Sequence, residues 1–219
     1  MLHAYTVPLF SAVWLGWQRS WYFLIADLAG TWLVGTLGTA ALLLLHKRLI
    51  ARRLKPGDTC TFGRWNFLRD ELTKILLIHT GDDALSSLKG TRLFTLFLRW
   101  AGGDVDKSVV WLGNMPPEPD LLRVGPGTVV GPGVDVFTHN MEGWRYVYEP
   151  VSLGTGCALG ERSSLMGYGE MQDGSQLEPL TQVMKGTLCR TGLVYEGNPA
   201  DARRDRVGGR CLVDYSEIV

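Results

Sequence analysis

A six-residue period constrains this chain more than any other feature. It begins as Val124-Gly-Pro-Gly-Thr-Val, repeats as Val130-Gly-Pro-Gly-Val-Asp, and reaches Val136. A second run keeps phase through Leu153, Leu159, Leu165, Met171, Leu177 and Val183. Gly125, Gly131, Gly154 and Gly160 each follow a leader. Hexapeptide periods mark parallel β-helices. Three short strands joined by tight corners make one three-sided coil of about eighteen residues. Successive coils stack as parallel strands ~4.8 Å apart, with one aliphatic per face pointing inward. The corner residue needs unusual backbone angles, which glycine adopts at little cost. Gly-Pro-Gly triplets exclude an α-helix here, and the absence of period-2 alternation excludes an antiparallel sandwich.

The predicted fold class is therefore mainly β, a left-handed parallel β-helix over 104–200, preceded by helices and followed by a polar tail, 201–219. Residues 153–188 supply two coils and 124–141 a third. Val105, Val109 and Leu112, with the Pro116-Pro117-Glu118-Pro119 excursion, are expected to form a ragged first coil. The step from Val136 to Leu153 is seventeen, one short of a coil, so a break in phase is expected. A loop running from Thr138 to Arg145 should leave the prism there.

The N-terminal part reads differently. From Trp21 to Leu45 the chain holds 25 residues with one formal charge, Asp27. At ~1.5 Å per residue such a helix reaches ~37 Å, longer than a ~30 Å hydrocarbon slab. Residues 1–46 are thus read as a membrane segment, with a buried core helix as the alternative. Gly30, Gly35, Gly38, Ala40 and Ala41 mark a face for close helix approach, and Trp17, Trp21 and Tyr22 suit an interfacial belt. The piece Tyr5–Trp17 is too short to cross unaided and lacks the marks of a signal peptide. Lys47, Arg48, Arg52, Arg53 and Lys55 follow the span, which puts the β-helix on the cytoplasmic side and offers contacts to anionic lipid.

Residues 47–103 form a basic flank and amphipathic helices. Trp65, Leu68, Leu72, Ile75, Leu76 and His79 recur at helical spacing over 61–80, with His79 expected to be packed. A loop is expected over 81–89, then a helix over 91–101 that stops at Gly102-Gly103 and covers the open end of the prism. Basic and acidic residues balance at 22 each, which gives no footing for nucleic-acid binding. Four cysteines without a C-x-x-C pair read as free thiols of a reducing compartment.

The segment GTRLFTLFLRWAGGDVDKSVVWLG, the run Pro117–Leu121, the THNMEGWR stretch, PLTQVMKG at 179–186 and EGNPA at 196–200 resemble one family. It is the membrane-associated C-terminal hexapeptide-repeat region of poly-lysine-synthetase-like, nonribosomal peptide synthetase-like proteins, within the hexapeptide acyltransferase superfamily. The resemblance spans about 45–200. It implies acyl or aminoacyl transfer forming an amide or peptide bond. The implied donor is a phosphopantetheine- or CoA-linked thioester, with no bound cofactor. The chain lacks the glycine-rich nucleotide loop and carrier serine of the parent architecture, and Met166, Gln172, Glu178 and Met184 replace glycine after later leaders.

The resemblance points to His139 as the base, the one histidine inside the repeat. A free imidazole titrates near ~6.5 and so suits proton removal from an attacking amine. Glu142 or Glu149 is expected to orient it. Arg145, Trp144 and Lys185 are the expected substrate contacts, with Arg145 suited to a phosphate or carboxylate. One histidine is too few for a zinc site, so no metal is expected. The implied partners are membrane lipids, a carrier domain or other synthetase modules, and a homo-oligomer. The alternative function is a non-catalytic membrane-anchored scaffold, with Trp144, Tyr146 and Tyr148 as interface anchors.

Overall fold

A computed structural model of the chain describes residues 21–202. Each leader aliphatic falls on its equivalent in the next coil. Val124, Val130 and Val136 register on Leu153, Leu159 and Leu165. These in turn register on Met171, Leu177 and Val183. Three parallel stacks result, one per face. None of these nine side chains is more than 4% exposed, so the prism interior is a dry column of aliphatics. The column continues into Cys189 and Tyr195, two leaders outside the aliphatic pattern. Cysteine packs as a small hydrophobe. The Tyr195 hydroxyl accepts a hydrogen bond from the Arg190 backbone amide at 2.8 Å.

The ragged first coil is real but its leaders differ from expectation. Val105 registers on Val124 and Trp111 on Val130. Trp111, not Leu112, is the inward residue and is fully buried. Its indole Nε1 donates to the Asn114 carbonyl at 3.1 Å. The third face of this coil has no strand, because prolines at 116, 117 and 119 have no amide hydrogen for a ladder.

Glycine serves two separate needs in the coils. The residue right after a leader does not take positive φ. That angle falls three positions after the leader, at Gly127, Gly133, Gly156, Gly174, Gly186 and Gly192. Arg162, Tyr168 and Leu180 hold the same position in other hexads, with φ of 54°, 55° and 62°. Glycine after the leader answers close approach instead: a Cβ on Gly125 would lie 2.7 Å from Gly154 backbone, and one on Gly131 2.6 Å from the Leu159 carbonyl oxygen.

The sequence phase breaks after Val136 as expected, but the prism itself does not. Val136 pairs with Leu165, 29 positions on, where a plain coil such as Leu165 to Val183 spans eighteen. The prism runs straight through, and the surplus is extruded at one corner. It forms not a loop but a β-hairpin, His139–Glu142 and Arg145–Tyr148, turning at Gly143 with φ of 60°. The second hairpin strand pairs antiparallel with Thr59–Thr61, which makes a small separate sheet.

The helices close the lower end. The helix Arg92–Trp100 buries Phe94, Phe97 and Leu98 against the first coil, and Thr95 Oγ1 donates to the Val109 carbonyl at 3.0 Å. The long helix Trp21–Leu49 is apolar, and only 11% of its apolar stretch is buried, which is unlike a core helix. The amphipathic helix begins later and extends further than its periodicity predicts. It runs Trp65–Ile75, widens into a π turn at Leu76–Gly81, and continues through Asp82–Ala84 and Ser86–Leu88, so most of the expected loop is helical. Thr73 and Leu77 face inward, with Thr73 Oγ1 3.0 Å from His46 Nε2. The opposite side leaves Trp65, Leu68, Leu72 and Ile75 exposed. His79 shares that exposed side and is not a core histidine.

Candidate functional site

The extruded hairpin starts directly from the prism corner, so its first residues are held as firmly as the coil. Thr138 is buried and His139 half-buried. Both converge on one carboxylate oxygen from the coil below: Thr138 Oγ1 donates to Glu118 Oε2 at 2.6 Å, and His139 Nδ1 lies 3.0 Å from the same atom. Pro117 and Pro119 flank Glu118 and restrict the backbone that carries it. A carboxylate accepting from Nδ1 makes that nitrogen the protonated one in the neutral ring, leaving the Nε2 lone pair free. Nε2 has no hydrogen-bond partner among the described residues.

The imidazole is also clamped from one side. The Tyr146 ring lies 4.9 Å from it, and Lys74 Nζ stands 4.7 Å over that tyrosine and 3.3 Å from its hydroxyl. His139 opens onto a cleft of about 440 Å³ shared with Lys74, Asp82, Asn114, Asp135 and Phe137. Asn114 Nδ2 donates to Asp135 Oδ1 at 2.8 Å, and Asp82 Oδ1 accepts from the Met115 amide at 2.8 Å. The cleft walls are therefore set by hydrogen bonds before any ligand arrives.

The remaining candidates lie elsewhere. Side chains alternate across a strand, so His139 and its register partner Tyr148 share one face of the hairpin, while Glu142 and Arg145 share the other. Glu142 is occupied: its Oε1 accepts from Lys185 Nζ at 2.8 Å. Lys185 also forms an ion pair with Glu149, which is fully buried and lies so close to Gly167 that no Cβ fits there. Hydrogen bonds to Glu142 and Glu149 raise the Lys185 ammonium pKa above its ordinary value. Neither Glu142 nor Glu149 hydrogen-bonds His139. Arg145 is exposed without an ion-pair partner among the described residues, and Trp144 is 82% exposed at the hairpin tip.

Glu118 is the residue that sequence reasoning missed. Its signal is positional: it lies about one coil before His139, at the height where the next coil down passes. Its offset is 21 residues, not the plain eighteen, and Asp120 lies nearer to that spacing, so a repeat count alone does not single out Glu118.

No family model matches the chain, and no curated protein matches it in sequence. Solved structures resemble it at low identity. A maltose O-acetyltransferase from Clostridium difficile 630 is 12% identical, with a TM-score of 0.48, covering 67% of this chain and 91% of its own. A hexapeptide-repeat-containing acetyltransferase from Vibrio cholerae is 14% identical, with a TM-score of 0.42 and coverage of 60% and 92%. A galactoside acetyltransferase in complex with coenzyme A is 11% identical, with a TM-score of 0.41 and coverage of 68% and 86%. None of the three is a peptide synthetase, and none of these values assigns an activity to this chain.

Proposed function

We propose that this chain is a membrane-tethered acyltransferase of the left-handed β-helix kind, with His139 as general base and Glu118 as the residue that orients it. One observation carries the reading: the Nδ1 contact of 3.0 Å to a nearly buried carboxylate, with Nε2 left free beside a preformed cleft. In this mechanism Nε2 takes the proton of an attacking amine as its nitrogen adds to a thioester carbonyl. Collapse of the tetrahedral adduct expels the thiolate, and the imidazolium returns the proton to it. Glu118 stabilises the transient imidazolium and holds the tautomer. The donor is a CoA- or phosphopantetheine-linked acyl group. On the resemblance of the repeat and its flanking motifs, the finer assignment is aminoacyl transfer to an amine in a poly-lysine-synthetase-like assembly.

The test is product formation by the complete assembly carrying His139→Ala. A loss of ~10²–10⁴-fold with unchanged expression and fold is expected. Turnover equal to wild type would remove the catalytic reading. A scaffold reading is favoured by a single feature, the exposed Trp144 at the hairpin tip. Trp144→Ala leaving turnover intact but releasing a synthetase partner would move the assignment there. Membrane tethering is checked separately: after a carbonate wash the chain stays in the pellet, and release to the supernatant would exclude a span.

A further inference from the structure

A second cleft in the described part of the molecule lies away from His139, at the C-terminal foot of the long apolar helix. Its volume is about 930 Å³. Six basic side chains line it against two acidic ones. Two of the six are spent internally. Lys47 Nζ is 2.5 Å from Asp120 in a nearly buried pair, and Arg52 pairs with Asp70 and Asp58. The other four, Arg48, Arg53, Arg99 and Arg123, have no hydrogen-bond or ion-pair partner among the described residues.

These four come from separate elements. Arg48 and Arg53 lie at and just beyond the end of the long helix, where basic residues commonly flank a span. That tendency does not account for the other two. Arg99 closes the helix Arg92–Trp100, and Arg123 projects outward from a strand whose neighbours Leu122 and Val124 point into the prism. Asp104, in register with Arg123, makes no ion pair with it and is the one unspent carboxylate in the lining. Trp100 is 66% exposed beside them, an aromatic suited to the water–lipid boundary.

Four unpaired guanidinium groups around one cavity repel each other, and an anion relieves that repulsion while accepting paired N–H donors. We propose that this cleft binds a phosphate-bearing anion, and that its setting at the end of an apolar helix suits an anionic phospholipid headgroup. Recognition needs the cavity and its arginines, not His139, so it stands or falls apart from acyl transfer.

The experiment follows thermal unfolding of the detergent-solubilised full chain during titration with short-chain phosphatidylglycerol, short-chain phosphatidylcholine and inorganic phosphate. Phosphatidylglycerol raises Tm saturably. In the Arg99→Gln/Arg123→Gln double variant half-saturation moves roughly thirtyfold higher, taking each arginine near a charged surface at its usual weight. Arg48→Gln/Arg53→Gln, altering the opposite wall, gives a similar shift, while Arg162→Gln on an exposed prism corner gives none. A response to inorganic phosphate matching that to phosphatidylglycerol keeps the phosphate site and makes its ligand a soluble one. Equal responses of wild type and both double variants, or an equal shift with phosphatidylcholine, overturn the proposal.

Discussion

The coils above Leu153 and the coil below it obey the same inward rule yet serve different ends. From Leu153 to Tyr195 the chain advances in plain steps of six, each leader settling on the one below. Between Val136 and Val151 the same prism lets one corner run out into a hairpin, and the coil beneath replaces its third strand with a proline-rich excursion. His139 comes from the first irregularity and Glu118 from the second. Regular repetition thus supplies rigidity, and chemistry gathers where two interruptions sit one above the other. A functional group needs a backbone that leaves the ladder, yet it must be held by one that does not.

The contrast can be broken most forcefully in the regular coils. Leu165 is fully buried between Val136 and Val183, and Leu165→Ala should cost ~2–5 kcal/mol in urea unfolding of the solubilised chain, since stacked coils cannot collapse around the cavity. A loss below ~1 kcal/mol would mean the column is not the principal core.

Alkali should weaken the same column. Burial pushes the Cys189 thiol up to about 11 from 9.0. The folded state therefore holds that proton more tightly than the unfolded chain. The contribution is whole below pH 9 and fades as pH rises through about 11, a loss of about 2–3 kcal/mol at full shift. Unfolding free energy measured from pH 8 to 11 should fall accordingly, and Cys189→Val should flatten the slope. An unaltered slope in that variant would place the pH dependence elsewhere.

Smaller effects distinguish corners from faces. Leu180 is exposed with φ of 62°, in the slot glycine fills elsewhere, so Leu180→Gly should stabilise by ~1 kcal/mol and Gly192→Ala destabilise by about as much. Opposite signs in melting curves test whether that corner position, and not the one after the leader, carries the conformational demand. At the hairpin tip, Trp144→Ser should leave stability within ~0.5 kcal/mol. A larger loss would show that the tip is part of the core.

Much of this was legible in the residues. The leaders Val124 to Val183, the capping helix that ends before Gly102-Gly103 and the long apolar helix all follow from periodicities that depend on near neighbours alone. Trp111 displaced Leu112 because it stands one plain hexad after Val105 yet is aromatic, so a count restricted to aliphatics passed over it. The seventeen-residue step showed the break in phase and the departure from the prism, but not that the surplus pairs into a hairpin, because strand pairing there depends on Thr59–Thr61 far away in the chain. His79 faced outward because the whole stripe it shares, with Trp65, Leu68, Leu72 and Ile75, faces outward; a helical wheel gives the stripe but not which side packs.

By itself, then, the sequence determined the coil, its inward column and the presence of a histidine-bearing interruption, since each rests on a short-range alternation between apolar and turn-forming residues. Tertiary structure alone decided which carboxylate meets His139, and that Glu142 and Arg145 turn to the other side. The first depends on which coil passes beneath which, and the second on the pleat of a strand whose boundaries only pairing defines. The four arginines around the lower cleft come together for the same reason: elements distant in the chain share a place only once the stack has formed.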